Sequence, residues 1–222
     1  MTNIAVVTAI AGGKDYLKEV DKRFREDADF IAFTDEELYS DTWEIRPIRK
    51  FYATPCLNAK VYKVLIHQFT EDYKYSLWVD GSIIPKTSIN MLVEKYLKTA
   101  DMSVFKHRIR DCIFDEHETL MDLKREKPEI LMSAINKYKK KHPIKAGLYE
   151  CGVILRHNTK KVEDFNNAWW SEIGRYTERD QIPFMYLARK MGMNINSFDT
   201  GNMYINKLFK YEDHVKPFKQ VQ

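Results

Sequence analysis

The stretch Tyr75-Ser76-Leu77-Trp78-Val79-Asp80-Gly81-Ser82 constrains the fold of this chain more than any other. Leu77, Trp78 and Val79 form an apolar run without polar alternation, so the strand they predict is buried on both faces. Such strands belong to parallel sheets covered by helices. The run stops at a carboxylate, Asp80, followed by Gly81. In open parallel sheets, ligands bind where the strands end, and a glycine there lets a ligand come close to the backbone. Asp80-Gly81 therefore has two readings, a metal or phosphate site or a plain turn after a strand.

The neighbouring sequence supports an alternation of strand and helix. Ile4 to Ile10 is a continuous β-prone run bounded by Gly12-Gly13. Lys14 to Glu26 has helical spacing, with Tyr16, Leu17, Val20 and Phe24 on one face. Phe30 to Phe33 is a second buried strand ending at Thr34-Asp35, and Trp43 to Ile48 a third, placed at an edge by Pro47. Pro55 to Phe69 reads as a helix carrying Lys60 and Lys63 one turn apart. Ser88 caps a helix to Lys98. Met102 to Phe105 and Gly152 to Leu155 read as strands. Glu116 to Lys141, Val162 to Ile173 and Asp180 to Met191 read as helices, with Pro128 starting a second piece of the first. Asp180 as N-cap would put Pro183 in the first turn, where proline is tolerated. Such an order predicts a doubly wound α/β domain with a mostly parallel, mixed central sheet. One domain over residues 1–222 is expected, with a nucleotide-binding half to about residue 100.

Composition narrows the class. The net charge of +4 suits an anionic ligand without demanding nucleic acid, and the Lys139-Lys140-Lys141 run lacks interleaved aromatics. Three separated cysteines, Cys56, Cys112 and Cys151, without CxxC spacing, argue against a disulfide framework or a zinc ribbon. No basic residue precedes the Ile4–Ile10 run, which is too short to cross a membrane, so a soluble, cytoplasmic protein without a transmembrane segment is expected.

Candidate site residues follow from strand ends. Thr8 and Ala9 near the end of the first strand, Asp35 after the second and Asp80 would line one crevice. A carboxylate at Asp35's position can hold a ribose hydroxyl; it can equally cap a helix or stand in solvent. Gly12-Gly13 lacks the GxGxxG spacing of a dinucleotide site. Lys60 and Lys63 can face phosphates or decorate a solvated face. His107 and Arg108 follow a strand, and His107 is either close to phosphates or an ordinary core histidine. Trp169 and Trp170 point in different directions from one helix, as core residues or with one stacked on a ligand.

An ordered set of segments then carries a resemblance. Tyr75 to Gly81 is followed by Phe105-Lys106-His107-Arg108, by Tyr149-Glu150-Cys151-Gly152 running to Arg156-His157, by Trp169-Trp170-Ser171-Glu172, and by Arg175 to Ile182. Over roughly residues 50 to 190 this resembles the glycosyltransferase-like domain family known from plant mucilage-related proteins, one member of which carries the name alkaline ceramidase. That family is similar to nucleotide-sugar transferases of the GT-A type. The resemblance implies a GT-A-like fold and transfer of a sugar from a nucleotide donor, a UDP-sugar, to a glycan or other hydroxyl acceptor. It also implies a manganese or magnesium ion held by an Asp-X-Asp motif, acting as a Lewis acid on the departing diphosphate.

Here the motif is Asp80-Gly81-Ser82, with a hydroxyl in place of the second carboxylate. The implied metal set is Asp80, Ser82 and a C-terminal histidine, His214. A metal-free alternative has Lys60, Lys63 and Arg108 neutralising the diphosphate. Glu150 and Asp180 are the implied catalytic carboxylates, with Asp180 the first choice to take the acceptor's proton and Gln181 beside it at the sugar. Two other readings stay open. One is a metal-dependent amide hydrolase of ceramide type, for which no HExxH is present. The other is a non-catalytic domain that binds nucleotides or acidic polymers.

Overall fold

The computed structural model describes residues 2–123, 128–140, 143, 145–176 and 179–213. Its strands are β1 (Ile4–Ile10), β2 (Asp29–Thr34), β3 (Glu44–Pro47), β4 (Tyr75–Val79), β5 (Ile83–Pro85), β6 (Met102–Lys106), β7 (Tyr149–His157), β8 (Ile195–Ser197) and β9 (Phe209–Tyr211). Its helices are α1 (Pro55–Val64), α2 (Ile89–Tyr96), α3 (Ile113–Asp122), α4 (Pro128–Lys139), α5 (Lys160–Tyr176) and α6 (Gln181–Lys190). A seven-stranded sheet runs in the order β3-β2-β1-β4-β7-β6-β8, so strands from both halves of the chain share it. The pairings β3/β2, β2/β1, β1/β4 and β6/β8 are parallel, and β7 runs antiparallel to both β4 and β6.

Strand residues alternate between two apolar layers. Val7, Ile31, Trp78 and Ile154 join the layer formed with α1, α3, α4, α5 and α6. Val6, Phe30, Leu77 and Val153 join the layer formed with α2 and the Phe198–Phe209 region. The unbroken apolar run at 77–79 is therefore explained: each neighbouring residue enters a different core. Trp78 is 3% exposed and Leu77 is fully buried. Truncating the former to alanine would cost about 3–5 kcal/mol.

Local chemistry sets the helix that matters most for the site. Thr54 accepts a hydrogen bond from the Leu57 N–H and Pro55 opens the first turn of α1, satisfying the helix start. Asn58 ties the preceding loop down by accepting from the Phe51 and Tyr52 N–H groups at 2.8 Å each. Beyond Val64 the chain tightens into a short 3-10 turn, Ile66–Phe69, so the continuous helix expected to Phe69 ends earlier. Ser88 caps α2 as expected, accepting from Met91 N–H.

One expected helix is absent. Lys14 to Glu26 forms only a 3-10 turn at Lys22–Phe24. Tertiary partners take the polar groups that a helix would use internally. Lys18 Nζ donates to Asp15 at 2.6 Å and to the Gly81 carbonyl at 2.9 Å, Trp43 Nε1 donates to the Lys18 carbonyl, and Val20 N–H donates to Thr42 Oγ1. The segment straps the sheet edge to the Asp80-Gly81 turn.

Candidate functional site

The carboxyl ends of β1, β4 and β6 and the start of β7 open into one cleft of about 670 Å³. It sits where the sheet order reverses, between β1 and β4, the place where open α/β sheets bind ligands. Ala9, Lys60, Lys63, Asp80, Gly81, His107, Arg108, Glu150, Asp180 and Gln181, all candidates from the sequence, line this cleft.

Three candidates lie elsewhere. Thr8 is buried in the layer shared with Val6, its Oγ1 without a partner among the described residues. Asp35 lines a separate shallow pocket and its carboxylate accepts the Gly12 N–H at 3.0 and 3.2 Å, so it fixes the start of the β1–β2 connection. Ser82 is buried outside the lining, and its carbonyl accepts the Glu212 N–H. His214 lies outside the described residues. Trp169 is core and Trp170 packs edge-on against Tyr52 at 5.5 Å, and neither lines the cleft.

An ionic network forms the floor. Lys63 Nζ, on a side chain 7% exposed, lies 2.6 Å from Asp180 Oδ2 and 3.3 Å from Asp80 Oδ1. Lys60 Nζ lies 3.5 Å from Asp180 Oδ1. Trp78 Nε1 donates to Asp80 Oδ1 at 2.7 Å. Burial alone would lower the Lys63 ammonium, but Asp180 and Asp80 outweigh it and hold it charged. Burial alone would raise the Asp180 carboxyl, but Lys60 and Lys63 hold it well below the usual carboxylate range. Asp180 is the residue before α6, yet its side chain makes no capping bond. The carboxylate serves the lysines instead.

From beneath, the buried Arg156 guanidinium donates through Nη2 to the Lys63 carbonyl at 3.1 Å. A cation at the last turn of α1 meets carbonyls that have no helical partner. Burial lowers its pKa to about 9.

The opposite wall is built by an irregularity. The β6/β7 register shifts between Val104 and Phe105, so Phe105 faces Glu150 where even pairing would bring Val153. The shift turns Glu150, Cys151 and Gly152 into the cleft. Glu150 is 2% exposed; Oε1 lies 3.5 Å from the Arg108 N–H, and Oε2 has no partner among the described residues. Burial pushes its pKa up. Cys151 is buried and its thiol is pushed well up by that burial, which makes it a poor nucleophile. Gly152 is required by space: a Cβ there would stand 2.5 Å from Met203 Sδ and 3.1 Å from Asp80 Oδ2. His107 accepts the Arg110 N–H on Nδ1 at 3.0 Å, and burial followed by Arg110 and Arg108 lowers its pKa to about 4, so it is neutral.

Several cleft residues carried no signal in the sequence. Tyr204 stacks under Arg108, whose guanidinium carbon lies 3.9 Å from the ring centroid. Lys14 and Asp15 arrive on the irregular strap, and Arg110 and Ile109 on the loop after β6. Arg179 stands beside Asp180 in the segment that carried the resemblance. Lys and Arg side chains outnumber Asp and Glu in the lining, which suits an anionic ligand.

The residues fit a divalent metal poorly. Among the described residues no three His, Cys, Asp or Glu side chains converge. Of the motif's two polar side chains only Asp80 lines the cleft, with Oδ1 already taken by the Trp78 N–H and the Lys63 ammonium, which it shares with Asp180. Unit charges 4 Å apart interact by about 4 kcal/mol at an effective dielectric near 20, and a divalent ion doubles this. A metal on Asp80 would face that repulsion from Lys63. Among the described residues no helix is long and apolar enough to cross a membrane.

The comparisons agree with this geometry. The Arabidopsis thaliana protein named probable hexosyltransferase MUCI70 is 26% identical over 222 aligned positions, covering 87% of this chain and 38% of that protein. The chain thus spans well under half of that relative's length. The glycosyltransferase GlyE of Streptococcus pneumoniae TIGR4 superposes with a TM-score of 0.51 at 11% identity, over 90% of this chain and 46% of that one. Mouse xyloside xylosyltransferase 1 in its apo form gives 0.50 at 12% identity, over 89% and 85%. At such identities the likeness speaks for the fold, which is GT-A-like, as the resemblance implied. The TOD1/MUCI70 glycosyltransferase-like domain model matches residues 1–214, and the chain belongs to that family.

Proposed function

We propose that this cleft binds a nucleoside diphosphate sugar, with a uridine diphosphate sugar as the first candidate, and transfers the sugar to a hydroxyl acceptor. The observation that carries the reading is the pair of ammonium groups, Lys60 and Lys63, bracketing Asp180 at the carboxyl end of β4. Fixed cations aimed at a departing diphosphate stabilise the charge that develops on it. Family membership supports the same reaction class. The MUCI70 relative's name specifies hexosyl transfer.

The two carboxylates divide the work. In transfer, a bond forms between the acceptor oxygen and the anomeric carbon. The bond from that carbon to the diphosphate oxygen breaks, and its electron pair leaves on the diphosphate. The acceptor's proton needs a destination within hydrogen-bond reach. Asp180 is held ionised by two lysines, which makes it a weak base and a strong electrostatic partner for positive charge on the sugar. Glu150, in the cleft lining with a pKa raised by burial, suits proton transfer better. The proton-accepting role passes here from Asp180, the first choice from the sequence, to Glu150. Ile109, 75% exposed on the cleft rim, offers an apolar contact to the acceptor.

The test is a transfer assay with a panel of nucleotide sugars and simple glycosides, paired with calorimetry. The expected result is turnover with one nucleotide sugar, and a Glu150→Gln variant that binds the nucleotide as the parent does while losing on the order of 100-fold or more in kcat. A Glu150→Gln enzyme with parental kcat removes the assignment of Glu150. Absence of nucleotide binding across the whole panel removes the function.

A further inference from the structure

We propose that this site holds its nucleoside diphosphate without a divalent metal, the Lys63 ammonium standing as the fixed cation at the carboxyl end of β4. This rests on the nucleotide-sugar reading above and deepens it. The position an Asp-X-Asp metal would share is occupied from the protein side. Lys63 Nζ lies 3.3 Å from Asp80 and 2.6 Å from Asp180, so one cation bridges both carboxylates, and Lys60 at 3.5 Å from Asp180 brings the charge of the group to balance. Trp78 Nε1 takes the same Asp80 oxygen at 2.7 Å, which leaves that oxygen little capacity for a metal. The other residue of the motif, Ser82, is buried outside the lining, so the turn offers no second ligand there.

Lys63 is also built to stay. Its side chain is 7% exposed, its ammonium lies 5.9 Å from the Trp78 ring centroid, and its carbonyl is gripped by Arg156. A swinging surface lysine cannot replace a metal, because it must be ordered at the moment of reaction. A buried, paired one is ordered in advance, which is the condition for electrostatic stabilisation without reorganisation. An ammonium carries three N–H donors. The contacts to Asp180 and Asp80 use two of them, and the third remains for a phosphate oxygen entering the cleft that Lys63 lines. Lys60 and Arg108, both on the lining, supply the further positive charge a diphosphate needs.

The test titrates the wild-type protein with UDP, GDP, ADP, CDP and dTDP by calorimetry, once in excess EDTA and once in millimolar MnCl2. The expected result is at least one diphosphate whose dissociation constant in the two conditions agrees within about twofold. Manganese added alone, followed by electron paramagnetic resonance, should show no site tighter than about millimolar. Binding lost in EDTA and restored by manganese overturns the proposal while leaving the nucleotide-sugar reading intact. A micromolar manganese site on the nucleotide-free protein overturns it as well. No binding of any diphosphate in either condition overturns the underlying reading and this inference with it. Lys63→Ala adds a second arm: removing the ammonium should weaken binding in EDTA by about tenfold or more, with manganese recovering part of it through the freed carboxylates. Unchanged binding in that variant refutes the role of Lys63. The wild-type comparison decides the matter if the variant does not fold.

Discussion

Asp180→Asn is the perturbation that most directly probes the cleft floor. The carboxylate is 15% exposed and faces Lys63 Nζ at 2.6 Å and Lys60 Nζ at 3.5 Å, with the Lys63 side chain 7% exposed. The amide keeps the shape and removes the charge, leaving a buried ammonium with Asp80 alone, at 3.3 Å. Breaking one side of a buried ion pair costs about 3–5 kcal/mol, because the other charge stays desolvated. With a urea m-value of about 2–3 kcal/mol/M for a chain of this size, the unfolding midpoint should fall by about 1–2.5 M. Asp80→Asn should cost about 1 kcal/mol or less, since its side chain is 39% exposed and its ion pair longer. The pH dependence has a fixed sign. The folded pKa of Asp180 is depressed, so its contribution is complete above the unfolded value near 3.9 and is lost as pH falls through the lower folded value. The gap between parent and Asp180→Asn should therefore be widest near neutrality and close in strong acid. A variant within about 0.5 kcal/mol of the parent at pH 7, or a gap that widens in acid, refutes the buried network.

Two further outcomes follow from the same geometry. Gly152→Ala should destabilise by about 1–3 kcal/mol through overpacking, and it should weaken nucleotide binding by displacing Asp80; because Met203 Sδ is the nearest obstacle, urea titration should show the Gly152→Ala, Met203→Ala double variant losing less than the sum of the two single losses, and strict additivity would refute the contact. His107 has a folded pKa of about 4 against an ordinary value near 6.5, so the unfolded chain binds more protons between those values and stability should fall as pH drops through that window. His107→Gln should flatten that part of the stability–pH curve, and a parental slope in the variant would refute the assignment.

How much of this was legible in the sequence can be judged residue by residue. The strand at 75–79, the cap at Ser88 and the helix read over Val162–Ile173, which runs Lys160–Tyr176, are local signals, and the structure keeps them because burial and capping agree. The strap at 14–26 misled because its apolar spacing is helical while its polar groups bond to Gly81, Thr42 and Trp43. Short strands such as β5, β8 and β9 have too few residues for a period to show. Strand ends pointed to Asp80 and Ala9 in the cleft, and equally to Thr8 and Asp35 outside it.

The sequence by itself determined that alternating strands and helices would bury a Trp-bearing strand ending in Asp80, because hydrophobic period and turn chemistry act over a few residues. Family membership was legible too, in the order of segments from Tyr75 to Ile182. Only the tertiary structure decided that Lys63 and Asp180, far apart in the chain, meet at 2.6 Å, that Glu150 is turned into the cleft by a register shift, and that Ser82 is turned out of it. The physical reason is that charge pairing and strand register depend on which elements become neighbours, and that choice belongs to the packing of the whole sheet.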